Sequence, residues 1–399
     1  MRGINTKAFQ NSIEEAKKRG EFGPKAIAST IVMMIMFVGY ALTFLFPKFY
    51  GMTEKYVGVF VFVMLVLLLL INVNPIKWML SKDVEFYVLA LLCIITFVNL
   101  VIVDSGFGCF CVVINFVMVF ILCDKVQFYK WQVGLFAGVY VLFLFIWYFW
   151  AYPWMFADYT AYAYNTNTAA TFAIYTSLCA LIFFEILLEK YPIAGLFITV
   201  ALIKAFQIGL YHRARGAFIM LMAYLLFRYV IPKKWWKNSK FYKGMCIFLT
   251  LGSLAFVAVY VVVGMSGSNF YVPFFYKNVF SGREAIWLEF FNLFKAKPLT
   301  GIGTNLTIES FFEFNVHNAM YNILVVHGVI VFAGVLFVMY RRLFKIQKIA
   351  TKKPWAFAAM VAILAVCLES FFDVDLIWTD YSLNLLVLLL TANCAEIKN

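Results

Sequence analysis

The sequence predicts an all-α polytopic membrane protein of about twelve transmembrane helices, with one large external loop containing short helices. Three observations predict it. The chain is 64% hydrophobic and only 13% charged, whereas a soluble globular domain averages about 25% charged residues. Its apolar runs are long and continuous, which favours a helical bundle over a β-barrel built from short alternating strands. Its lysines and arginines collect in alternate short connectors, as the positive-inside rule demands. Length therefore counts helices, and residues 1–399 read as a single integral-membrane domain.

A run of ~20 apolar residues rising 1.5 Å each crosses a ~30 Å hydrocarbon core. On that measure the spans fall at 26–46, 56–73, 84–103, 106–122, 132–152, 168–188, 192–210, 215–231, 244–264, 318–339, 356–372 and 376–392. Residues 1–25 are charged and polar, with no small-residue cleavage site after the first apolar run. They read as a cytoplasmic N-terminal segment, and the run after them as a helix that stays. A short polar turn separates 192–210 from 215–231, so either is a candidate broken or re-entrant segment.

Connectors rich in basic residues are the N-terminus (Lys17, Lys18, Arg19, Lys25), Arg228 to Lys243, and Arg341 to Lys353. With the N-terminus inside, twelve crossings put all three inside, together with Lys77, Lys82, Lys125, Lys130 and Lys190. Both termini are then cytoplasmic. The alternate connectors around Asp104 and Asp158, and from Asp373 to Asp380, carry acids. The net charge of +13 is thus topology charge, and no nucleic-acid partner is expected. The eight cysteines show no framework or zinc spacing and read as small apolar fillers. Cys109 and Cys111 have no histidine near them in sequence.

The long external connector, 265–317, holds aromatic residues (Phe270, Tyr271, Phe274, Phe275, Tyr276) and the stretch SGREAIWLEFFNLFKAKP. Its apolar spacing predicts an amphipathic cap helix from Gly282 to Phe294, ended by Pro298 and a GIG turn.

Arginines outside a membrane are scarce, so the exceptions stand out. Arg213 and Arg215 occupy an outer turn where a helix begins, and its unpaired N–H groups carry positive potential. Their planar forks suit phosphate oxygens, and Gly216 would let a ligand approach the backbone. Arg283 starts the cap helix, with Trp287 one turn on. His317 closes the loop and could take a hydroxyl proton near neutral pH. Asn318 could orient that histidine or a sugar. Lys204 lies past the midplane of its run, from where it could reach the same site. His212 and His327 complete the three histidines, the latter expected to pack against a polar neighbour. Glu369, Asp373 and Asp375 form an acidic counterpart near another outer mouth.

Together these residues resemble the O-antigen ligase and polymerase superfamily of bacterial envelope glycosyltransferases. The resemblance rests on Arg215-Gly216 before a late external loop and on Arg283 with Trp287 early in it. It rests also on a Pro298, Gly301, Gly303 turn, on His317-Asn318 at the next helix start, and on Gly328 beyond. It covers residues 200 to 340; Ala214 stands where the family has serine. The resemblance implies transfer of an undecaprenyl-diphosphate-linked oligosaccharide or polysaccharide to an acceptor hydroxyl outside the bacterial cytoplasmic membrane. The chemistry would be inverting and metal-independent, without a cofactor. His317, Arg215 and Arg283 would be catalytic; Arg213, Gly216, Asn318, Trp287 and Lys204 would bind substrate. The favoured reading is a repeat-unit polymerase for O-antigen, capsule or exopolysaccharide, acting on an acceptor glycan or lipid beside a chain-length regulator and a flippase. The alternatives are an O-antigen ligase acting on lipid A-core or a protein, and a lipid-linked oligosaccharide transporter. A transporter would show inverted repeats and midplane ionisable residues, of which the sequence gives no clear sign.

Overall fold

The computed structural model describes residues 21–103, 105–152, 166–267, 271–272, 277–278, 282–310 and 314–394. The N-terminal Lys17, Lys18 and Arg19 lie outside the described residues, as do Asp104, Asp158, Phe270, Phe274, Phe275 and Tyr276. In chain order the helices are α1 (Pro24–Leu45), α2 (Pro47–Asn72), α3 (Pro75–Leu80), α4 (Val84–Ile102), α5 (Phe107–Lys125) and α6 (Lys130–Ile146). They continue as α7 (Thr166–Leu188), α8 (Ala194–Tyr211), α9 (Arg215–Leu225), α10 (Lys233–Lys237), α11 (Ser239–Met265), α12 (Arg283–Phe294), α13 (Ala319–Ala350), α14 (Pro354–Glu369) and α15 (Ser382–Ala392). Two-residue strands β1 (Tyr271–Val272) and β2 (Lys277–Asn278) pair antiparallel before the cap helix α12.

Among the described residues, nine helices are long and apolar enough to cross a membrane. Their packing is inverted relative to a water-soluble protein. On α4, Leu91, Ile94, Val98 and Val101 face outward while Glu85, Thr96 and Asn99 are buried. Such apolar exteriors are stable only in hydrocarbon, and buried polar groups then hold helices together. The other three expected spans are shorter helices: α9 has 11 residues before a π-helical turn to Val230, α14 has 16 and α15 has 11. Every described residue of α15, and nearly all of α14, is buried. They are the centre of the bundle: α14 packs on α9, α7, α13 and α15, and α15 also packs on α5. A helix enclosed by others need not match the bilayer thickness.

Ion pairs fix two places. At one end, Arg342 pairs with buried Glu85 and Asp124, and Arg341 Nε lies 2.8 Å from Glu85 Oε1. This joins α4, α5 and α13. Elsewhere Glu185 of α7 takes a forked bond from Arg228, Nη2 at 2.8 and 2.9 Å and Nε at 3.1 Å. The Glu185 side chain is 2% exposed. Removing one member of a buried pair strands the other charge, at ~3–5 kcal/mol. Glu185→Ala should therefore lower the unfolding midpoint in detergent well below that of Glu185→Ala/Arg228→Leu; an equal loss in both would show that the pair's charge is not the cause.

α13 is broken at Gly328, whose φ of 83° and ψ of 169° lie far from helical values. The break frees backbone groups, and the Pro298–Gly303 turn takes them up. Ile302 N–H donates to Val325 O at 2.9 Å, Gly303 N–H to Val326 O at 3.1 Å, and Val329 N–H to Pro298 O at 2.9 Å. An interrupted apolar helix survives only where other protein groups satisfy its backbone.

Candidate functional site

Arg215 is the first residue of α9, and Ala214 before it caps nothing with its side chain. Arg283 is the first residue of α12, entered through left-handed Gly282 at φ 79°. The fold brings these two helix starts to one cavity of ≈ 40 Å³. Among the described residues its lining includes Arg215, Gly216 and Arg283, Asn167 and Thr171 of α7, Glu369 at the end of α14, and Phe372 and Asp373 just after it. Two guanidinium groups from distant stretches thus face one small polar space, close enough for their charges to repel.

His317 joins this group through Asp373. Its Nδ1 lies 3.7 Å from Asp373 Oδ1. Its backbone sits in the left-handed region at φ 51°, a strain of order 1–3 kcal/mol for a non-glycine residue. The Asn315 side chain holds it there, accepting from His317 N–H at 2.8 Å. The next residue ties this mouth to the acidic connector. Asn318 caps α13 by accepting from Tyr321 N–H at 2.9 Å, accepts from Ser253 Oγ at 2.9 Å, and donates to Phe371 O at 3.0 Å. Ala319 N–H donates to Ser370 O at 3.1 Å. These bonds seat the stretch between Glu369 and Asp373 against His317.

The acids have separate environments. Burial works to raise Asp373, but the His317 imidazole and the charge of Arg283 outweigh it and hold that carboxyl below its ordinary value. Burial, then the charge of Asp373, pushes Asp375 up to about 8. Glu369 is fully buried. Like-charged carboxyls packed together cannot all ionise freely.

Several expected site residues are placed differently. Trp287 is fully buried; its Nε1–H donates to Val316 O at 2.6 Å and its carbonyl accepts from Tyr321 OH at 2.9 Å. It also packs on Tyr260, 4.8 Å between ring centroids. Trp287 anchors the cap helix and offers a sugar no face. Asn318 has three of its four hydrogen-bonding positions engaged in capping and bracing, so it shapes the mouth instead of binding a sugar. Gly216 lines the cavity and also makes room for Glu369: a Cβ there would stand 2.8 Å from Glu369 Oε1. Arg213, at φ 50°, is exposed on its turn and is not among the described lining residues. Lys204 is exposed on the side of α8, likewise away from that lining.

Glu369 and Asp373, which the sequence places at another outer mouth as an acidic counterpart either paired with the arginines or solvated, line the cavity with Arg215 and Arg283. Their signal was present, two acids beside an apolar run, but nothing in the sequence said which mouth they faced. His212 meets Tyr152 OH at 2.9 Å. His327 is buried with its Nε2 3.8 Å from Cys109 Sγ, so Cys109 does have a histidine neighbour, supplied by the fold. Among the described residues no group of three or more His, Cys, Asp or Glu is disposed to hold a metal ion. No family model, no curated protein and no solved structure matches this chain.

Proposed function

We propose that this chain is a membrane glycosyltransferase. It moves a glycan from an undecaprenyl-diphosphate carrier to an acceptor hydroxyl on the extracytoplasmic side of the bacterial cytoplasmic membrane. Within that class we propose a repeat-unit polymerase for O-antigen, capsule or exopolysaccharide. The observation that carries the reading is the meeting of Arg215 and Arg283 in one cavity, beside the His317–Asp373 pair.

The chemistry follows from those groups. The acceptor oxygen attacks the anomeric carbon and gives its proton to the His317 imidazole, which Asp373 holds in place. The bond from that carbon to the diphosphate oxygen breaks, and its electron pair leaves with the diphosphate. Arg215 and Arg283 carry the resulting charge through forked hydrogen bonds. At ≈ 40 Å³ the cavity has room for waters only, so the reading requires it to widen when the donor docks.

His317→Ala should lower transfer by ~10²–10⁴-fold without loss of membrane insertion, and Asp373→Asn should reproduce part of that loss. The assay follows a purified lipid-linked repeat unit serving as both donor and acceptor. A ladder of longer lipid-linked products identifies a polymerase, while transfer only to lipid A-core or protein identifies a ligase. Full-length polymer made by His317→Ala would remove the imidazole from the reaction.

A further inference from the structure

The end of α9 remote from Arg215 leads into a cationic surface that the transfer chemistry leaves unused. A π-helical turn at Leu226–Val230 is followed by α10, and α11 opens at Ser239. α10 therefore lies where the chain turns back into the membrane. Trp236 is its inward side: fully buried, its Nε1–H donates to Phe227 O at 3.0 Å and its carbonyl accepts from Gln347 Nε2 at 2.7 Å. The other four residues of α10, Lys233, Lys234, Trp235 and Lys237, are exposed, and so are Lys240 and Lys243 at the start of α11. The chain has no acid from Arg228 to Lys243. Among the described residues the ion-paired acids take other cations: Glu185 has Arg228, Glu189 has Lys130, Asp83 has Lys125, and Asp124 has Arg342 and Lys345. None pairs with these five lysines. Lys233 and Lys243 instead lie over the rings of Phe357 and Phe344, at 5.4 and 5.3 Å.

The exposed tryptophan among them points to the neighbour. Trp235 is 50% exposed and is held by Phe241, 5.5 Å between ring centroids. An indole at the membrane surface sits in the headgroup layer, its ring in apolar surroundings and its N–H in polar ones. Lysines clustered around it without acids repel one another and attract the phosphodiester of an anionic lipid. We propose that α10 and the start of α11 form a binding site for an anionic phospholipid headgroup of the leaflet at this end of the bundle. Lys234, Lys237 and Lys240 take the phosphodiester, and Trp235 anchors the site in the interface. Topology alone accounts for the sign of these charges but not for their lack of acid partners: Lys125, Lys130 and Lys345 obey the same rule and are neutralised. The site stands apart from the Arg215–Arg283 cavity, so neither assignment depends on the other.

The test is native mass spectrometry of the purified full chain in zwitterionic detergent, titrated with phosphatidylglycerol or with phosphatidylcholine. The unaltered protein should retain phosphatidylglycerol in preference, and the preference should shrink as salt rises from about 50 to about 500 mM. Lys234→Gln/Lys237→Gln/Lys240→Gln should weaken phosphatidylglycerol binding about 10²-fold, at roughly fivefold per lysine, while remaining monodisperse. Trp235→Ala keeps every charge, so it should weaken binding without altering the salt dependence. Lys130→Gln/Lys345→Gln removes two lysines that already have acid partners and should bind as the unaltered protein does. Equal affinity in the triple variant and the unaltered protein would overturn the proposal, as would an equal loss in the Lys130 and Lys345 control. Inorganic phosphate at the lipid's concentration should leave the lipid bound; displacement would assign the site to free phosphate and overturn the lipid.

Discussion

Arg215→Ala and Arg283→Ala should each reduce glycan transfer by ~10²–10³-fold, the loss typical when one preorganised donor to a developing negative charge is removed. The two side chains face one cavity from different helix starts, so they act on one anion. Their combined removal should therefore cost less than the product of the single losses, because residues that act as a unit are not additive. Arg215→Lys should also fail, since a single ammonium cannot reproduce the planar fork. The measurement is initial rate with a purified undecaprenyl-diphosphate-linked glycan, alongside gel filtration to verify folding. Arg213→Ala and Lys204→Ala serve as controls, because both side chains are exposed and outside the described lining. If the controls lose activity and Arg215→Ala keeps it, the cavity is not the site.

The largest loss of folding should come from Gly301→Ala and Gly328→Ala. Both glycines have positive φ, 76° and 83°, and Gly328 combines this with ψ of 169°, a region essentially reserved for glycine. There is no room either. A Cβ on Gly301 would overlap the Val326 carbonyl, and one on Gly328 would overlap the Leu299 carbonyl. These atoms are backbone and cannot rotate away. Left-handed strain of ~1–2 kcal/mol and overpacking of ~1–3 kcal/mol act together at each position. Each variant should accumulate poorly in the membrane and show a lower unfolding midpoint in detergent. An unchanged midpoint for Gly328→Ala would mean that the helix break is not held by the 298–303 turn. The same two residues belong to the sequence resemblance, and their packing gives them a structural role apart from chemistry. They lock the cap connector onto the broken helix α13, and Trp287 and Tyr321 continue that attachment toward the mouth.

The sequence by itself determined the kind of solvent this chain folds in and most of its helix positions. Both follow from composition and run length, which are local properties: residues such as Leu91 and Val101 reveal an apolar surface whatever their neighbours are. It also determined that Arg215, Arg283 and His317 are unusual, because charge at a helix mouth is legible against the apolar background. Local signals further located the cap helix, whose observed bounds of Arg283–Phe294 begin one residue after the expected start. Only the tertiary structure decided that α14 and α15 are short and central, since burial by other helices leaves the same apolar signature as burial in lipid. Only it decided that Trp287 and Asn318 brace the mouth and that Gly216 accommodates Glu369. Partners for a side chain are set by residues remote in sequence, here 29 positions away for Trp287 and Val316 and 53 for Asn318 and Phe371. The acids stayed unassigned for the same reason. Their identity was readable, but the cavity they line exists only once α7, α9, α12 and α14 have converged.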